Sequence, residues 1–295
     1  MTRPFRRLVL YVPGFDPMPP RRYRELYRRE SRKQALISGY DLAMERHLDA
    51  AGFGWATRAR FPEGEAQAQV EVLVWADLVQ ASMRGGIAAT YGQMLRVVWA
   101  YAGSGALRRL MRLRRGPVLA AFYPLAMLLA QLLVALLAGG LIGWGIAALT
   151  GIGWLAALAG LATVWAVLAV ARSQDHRLFA HYLMQDYAFT ASLRGVYPPV
   201  LEDRLSRFAN RLSQALAEDR DEVLVVGHSS GAYLAVSILA DAIRRGMAPN
   251  GPALSLLTLG HVVPMAAFLP RAGRLRADLR HLSARPEVAW VDVTA

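Results

Sequence analysis

Glu222-Val223-Leu224-Val225-Val226-Gly227-His228-Ser229-Ser230-Gly231-Ala232 joins a short apolar run to a G-x-S-x-G pattern. Leu234, Ala235, Ile238, Leu239 and Ala242 then recur at helical spacing, so the segment reads as strand Glu222–Val226, a sharp turn and helix Ala232–Arg245. The pattern alone is a weak signal; the strand before it and the helix after it give it meaning. Such a turn needs residues without bulk at its first and last positions, here Gly227 and Gly231. It lifts the Ser229 hydroxyl above a sheet edge, over the positive end of the following helix.

Reading outward, Leu8–Val12 forms a second apolar strand that runs into Pro13-Gly14-Phe15. An oxyanion hole requires two N–H groups aimed at one developing negative oxygen. Ser230 N–H is one candidate, directly after the serine, and Phe15 N–H is the other, with Gly14 letting the backbone approach. Further strands are expected at Val70–Trp75, with a short one before it near 53–61, at Leu254–Leu259 and near Val288–Val293. Leu201, Leu205, Phe208, Leu212 and Leu216 line one face of a helix over 199–218. Helices are also expected over 21–50, within 88–112 and over Gln174–Arg194. Strands alternating with helices predict an α/β class built on a mostly parallel sheet flanked by helices.

From Gly116 through Ala171 there is no Asp, Glu, Lys, Arg or His. A bilayer core takes about 20 apolar residues per helix, so two spans are expected at 118–140 and 152–171. Gly139, Gly140, Gly143, Gly145, Gly151 and Gly153 would then mark the turn between them, with Trp144 and Trp154 at its interface. Gly139 and Gly143 also form a GxxxG, which can pack helix on helix. Arginines 108, 109, 112, 114 and 115 precede the apolar region, and Arg172 and Arg177 follow it. The positive-inside rule then places both flanks in the cytoplasm. The expected organisation is 1–115, a transmembrane helical hairpin at 116–171, and 172–295, in an inner (cytoplasmic) membrane protein, multi-pass, with its chemistry on the cytoplasmic side.

Composition agrees with a membrane setting. Of 295 residues 55% are hydrophobic, and the mean hydropathy is +0.25. The formal net charge is +12, carried almost wholly by arginine, Lys33 being the sole lysine. Such a balance attracts nucleic acid or an anionic lipid surface. No nucleic-acid-binding motif accompanies it, so nucleic acid is not an expected partner. Arg21, Arg22, Arg24, Arg28, Arg29, Arg32 and Lys33 cluster on the first helix. They would either face lipid headgroups, at about 1 kcal/mol per cation near the surface, or form a solvated face stitched by pairs such as Glu25–Arg29. The absence of cysteine removes disulfides, a thiol nucleophile and thiolate metal sites. Leu8–Val12 is too short for the apolar core of a signal peptide. His176 and His181 are five residues apart, a poor match to a helical metal pair, and no HExxH occurs. No metal and no cofactor are expected.

The strand–Pro-Gly-Phe loop near the start, the strand–GHSSG–helix unit, and Leu256-Leu257-Thr258-Leu259-Gly260-His261 together resemble the α/β-hydrolase family, in particular its lipase- and esterase-like members. The resemblance covers about 1–80 and 200–295. It implies hydrolysis of an acyl ester through a Ser–His–acid triad, with Ser229 as nucleophile. In that family the triad runs Ser, acid, His along the chain. Only 64 residues follow Gly231, and the family's positions for the acid and histidine are not among them. Three readings stay open: a natural chain continuing past Ala295, His261 acting as the base, or catalysis lost. His228 lies inside the turn and is not expected to reach back to Ser229; Asp292 lies within the last strand rather than beyond it. The expectation is a membrane-anchored serine hydrolase acting on an ester or lipid-like acyl substrate, with membrane lipids and a hydrophobic acyl substrate as partners. The alternatives are a non-catalytic membrane scaffold that keeps the fold for binding, and an acyltransferase using the same serine.

Overall fold

The computed structural model describes residues 3–46, 53–113, 115–246 and 251–294. In chain order the first part contributes β1 (Phe5–Val12), α1 (Arg21–Ser38), β2 (Asp41–Arg46), β3 (Phe53–Phe61), β4 (Gly64–Val72) and α2 (Ala76–Ser82). Helices α3 (Ile87–Gly103), α4 (Ala106–Leu113), α5 (Arg115–Ala121), α6 (Tyr123–Thr150), α7 (Gly153–Ser173), α8 (Asp175–Leu178) and α9 (Ala180–Ala191) follow. The last part holds α10 (Pro199–Ala215), β5 (Glu222–His228), α11 (Gly231–Arg244), β6 (Ala253–Leu259), α12 (Val263–Ala267), α13 (Gly273–Ser283) and β7 (Val288–Val293). Two compact units result: one from Met1–Ala81, Val196–Ala267 and Arg271–Ala295, the other from Ser82–Gly195 with Phe268–Pro270.

The first unit is α/β, as the alternation of strands and helices implies. Its seven-stranded mixed sheet runs β2-β3-β4-β1-β5-β6-β7. The pairs from β4 through β1, β5 and β6 to β7 are parallel, and β2, β3 and β4 pair antiparallel. Alternate residues of β1 (Leu8, Leu10, Val12), with Val223 and Val225 of β5, are fully buried, as a sheet covered by helices requires. Helix α11 is buried along almost its whole length, and α10 packs beside it with Leu201, Leu205 and Leu212 inward. Arg211 of α10 makes a two-pronged bond to Glu71 of β4, at 2.6 and 2.8 Å, tying helix to sheet.

Several expected boundaries shift. The helix expected over 21–50 ends at Ser38, because Gly39 takes a left-handed φ of 70° and caps the Ala35 carbonyl; the chain then enters β2. Residues 47–50 lie outside the described residues. The strand near 53–61 is a full nine-residue strand turning at Pro62-Glu63 into β4, which starts at Gly64 and ends at Val72 rather than Trp75. The helix expected within 88–112 is broken at Gly105, φ 72°. That over 174–194 is divided at Phe179, φ 53°.

The second unit is helical. Helices α6, of 28 residues, and α7, of 21, are long and apolar enough to cross a membrane. At 1.5 Å per residue they extend about 42 and 31 Å. The first begins at Tyr123, not near 118, and runs through Gly139, Gly140, Gly143 and Gly145, which therefore do not form a turn. The turn is Gly151-Ile152, with Gly151 at φ 70°. A helix whose backbone bonds are internal tolerates glycine, and here Gly139 and Gly143 serve close packing. A Cβ on Gly139 would lie 2.6 Å from the Gly160 carbonyl oxygen of α7, and one on Gly143 would lie 3.0 Å from that of Ala156. Gly139→Leu should therefore cost about 1–3 kcal/mol by overpacking and lower the thermal midpoint of the chain in detergent. Gly140→Leu should not, since nothing lies within 4 Å of its Cβ position. Equal midpoints for the two variants would show that this contact does not hold α6 to α7.

Candidate functional site

The site is built at the C-terminal ends of β1, β5, β6 and β7, all within the sheet unit. Ser229, between β5 and α11, has φ 53°, a left-handed conformation that costs a residue with a side chain of order 1–3 kcal/mol. The turn closes because the glycines on either side accept neighbouring backbone. A Cβ on Gly227 would lie 2.6 Å from Ala232 Cα, and one on Gly231 would lie 2.3 Å from the Val12 oxygen and 2.4 Å from the Pro13 oxygen. Gly231 thus lets α11 start directly against the end of β1. Ser229 is partly buried and sits at the start of a 14-residue helix, whose first N–H groups have no intrahelical acceptor.

The loop after β1 is held from several sides. Trp75 Nε1–H donates to the Pro13 carbonyl at 2.9 Å, and the Phe15 and Trp75 rings meet edge-on at 6.1 Å. Phe15 is buried, and its N–H donates to the buried Ser230 Oγ at 2.8 Å. The two residues expected to bind an oxyanion are thus brought together, through a bond between them. Gly14 fits against the elbow, its Cβ position lying 3.1 Å from Ser229 Cβ and 3.6 Å from His228 Nδ1.

No family model matches this chain. No curated protein and no solved structure matches it either.

Ser229 N–H donates to the Leu259 carbonyl at 2.9 Å, and Gly260 N–H to the Val293 carbonyl at 2.8 Å, so His261 leaves β6 at the same sheet edge as Ser229. His261 Nδ1 is buried without a hydrogen-bond partner among the described residues. No side chain among the described residues hydrogen-bonds to Ser229 Oγ. Asp292 is engaged elsewhere: its Oδ1 accepts from Thr258 Oγ1 and from Trp290 Nε1–H at 2.8 Å. No group of three or more His, Cys, Asp or Glu side chains able to hold a metal occurs among the described residues.

One electrostatic influence on the turn escaped the sequence reading. His228 is exposed at the elbow. Protein crowding around its ring lowers its pKa, and the Asp16 carboxylate opposes that shift. Asp16, just past the Pro-Gly-Phe loop, accepts from Tyr23 Oη–H at 2.8 Å and Met18 N–H at 2.9 Å. An acidic residue two positions after the loop glycine was the available signal, but nothing local in the sequence ties it to a histidine more than 200 residues away.

Proposed function

We propose that this protein is a membrane-anchored serine hydrolase that cleaves an ester or lipid-like acyl bond through Ser229, on a sheet scaffold of the α/β-hydrolase kind. The observation that carries the reading is Ser229 at φ 53° between β5 and α11, the strained strand-to-helix turn that exposes a nucleophile. Ser229 Oγ attacks the acyl carbonyl and passes its proton to a base, for which His261, with its unpartnered Nδ1, is the candidate. Ser230 N–H and Phe15 N–H hold the oxyanion. Phe15 N–H becomes available when the Ser230 hydroxyl turns away from the bond it now accepts. The ester C–O bond breaks as the base returns its proton to the alcohol. Water then hydrolyses the acyl-enzyme and restores the serine.

Helices α6 and α7 supply the membrane anchor as an inserted two-helix hairpin. The arginines on both flanks favour the cytoplasmic side of an inner membrane for the sheet unit. A catalytic unit tethered there favours a hydrophobic acyl substrate that partitions into lipid. A second reading, a binding scaffold without turnover, is favoured by two observations. Ser229 Oγ has no hydrogen-bonded base among the described residues, and Phe15 N–H is already occupied. An acyltransferase differs only in the acceptor, an alcohol in place of water.

The test is a fluorophosphonate probe applied to membranes carrying the full chain, with the adduct located by mass spectrometry. A phosphonate on Ser229 is the expected result, and product analysis with added alcohol then separates hydrolysis from transfer. A folded chain that takes no label would favour the binding scaffold.

A further inference from the structure

Helix α1 carries seven cations, Arg21, Arg22, Arg24, Arg28, Arg29, Arg32 and Lys33, against two acids, Glu25 and Glu30. The acids are saturated: Glu25 pairs with Arg28 at 2.8 Å and Arg24 at 3.6 Å, Glu30 with Arg29 at 2.6 Å and Lys33 at 3.2 Å. Arg21 and Arg32 have no ion-pair partner among the described residues. The placement also opposes the helix itself. Cations stabilise a C-terminus and anions an N-terminus, yet the first turn of α1 has arginines and no acid, and the last turn has no cation. That last turn instead presents Leu36 and Ile37, 85% and 80% exposed. At about 3.6 residues per turn, Leu26, Leu36 and Ile37 share one half of the circumference with Arg22, Arg29 and Lys33. A groove of about 420 Å³ runs along it, lined by Arg22, Arg28, Arg29, Arg32, Glu25 and Leu26.

An excess of cations around an uncovered apolar wedge matches one kind of surface, phosphate-bearing anionic headgroups above acyl chains. We infer that α1 docks on anionic phospholipid, its arginines on the headgroup phosphates and Leu36 and Ile37 inserted at the acyl boundary. The inference rests on the membrane reading of α6 and α7: a chain anchored by them meets the lipid surface at high effective concentration, so a single helix suffices.

The chain contains no cysteine, so Leu36→Cys gives one labelling position for an environment-sensitive fluorophore. The full-length labelled chain is reconstituted into nanodiscs of phosphatidylcholine alone or with phosphatidylglycerol. The expected result is a blue-shifted emission, quenched by acyl-chain nitroxide, in the anionic discs and its loss in the neutral ones. Replacing Arg22, Arg28, Arg29 and Arg32 by glutamine, all exposed and outside the core, should remove shift and quenching in the anionic discs. The same water-like emission in both disc types, with the chain incorporated, overturns the inference while leaving the anchor intact. A chain that does not incorporate overturns the anchor and the inference together. A label shielded by added RNA but not by anionic discs overturns it in favour of nucleic acid.

Discussion

Ser229→Ala is expected to lower ester turnover at least about a thousandfold while leaving the stability of the sheet unit within about 0.5 kcal/mol. Both parts follow from the same φ of 53°. Alanine removes the hydroxyl but keeps a Cβ, so it endures the same left-handed strain as serine. Glycine does not. Ser229→Gly should be equally inactive and more stable by about 1 kcal/mol, because a residue without Cβ adopts this conformation freely. Turnover by a purified acyl ester assay, read beside thermal unfolding, separates the outcomes. Wild-type turnover in the alanine variant would remove Ser229 from the chemistry, and an unchanged midpoint in the glycine variant would remove the strain argument.

Gly231→Ala should strongly destabilise the sheet unit. Its Cβ would lie 2.3 Å from the Val12 oxygen, 2.4 Å from the Pro13 oxygen and 2.8 Å from the Pro13 carbonyl carbon. All three are backbone atoms of the strand end that carries the Phe15 loop, so no side chain can swing aside. Relief requires α11 to move off β1, which loosens the packing of a helix buried along its length and breaks the Phe15–Ser230 bond. The expected cost is about 3 kcal/mol or more, with loss of probe labelling in any protein that still folds. Gly273→Ala is the control. It starts α13 with nothing within 4 Å of its Cβ position, and alanine there should be neutral or slightly stabilising. Matching midpoints for the two variants would mean that α11 does not seat as tightly as this geometry requires.

The parts of the site legible in the sequence are those written in adjacent residues. A strand, a turn of small residues and an amphipathic helix occupy the 23 positions of 222–244, so the elbow could be read from spacing alone. The support around it is assembled from afar. Ser230 meets Phe15 across 215 positions, and Trp75 reaches Pro13 across 62; neither contact leaves a periodic trace. Glycine was ambiguous for a different reason. Turns and close helix contacts both call for it, so Gly139 and Gly143 read as the end of a span although they are the seam between α6 and α7. Conversely Gly39 and Gly105, which do end helices, fall inside the stretches 21–50 and 88–112 that read as helical, where glycine alone does not mark a stop. The order of the strands, with β1 in the middle, follows from pairings that hydrophobic pattern does not specify.

That central place of β1 has a consequence for how the protein is made. Its parallel neighbour β5 is bonded to it from Glu222 to Arg7, 215 residues apart, which at ribosomal speeds of about 5–20 residues per second is a wait of roughly 10–40 s. Throughout that interval the nascent chain holds β1 with one edge open, and both long apolar helices leave the exit tunnel before the missing strand exists. The sheet cannot close until α6 and α7 have already been committed to their surroundings. Such late, long-range closure is slow, and it leaves an unpaired strand edge available to other chains. A defect in handling the apolar helices would thus appear first as aggregation of the N-terminal strands, long before any loss of chemistry could be measured.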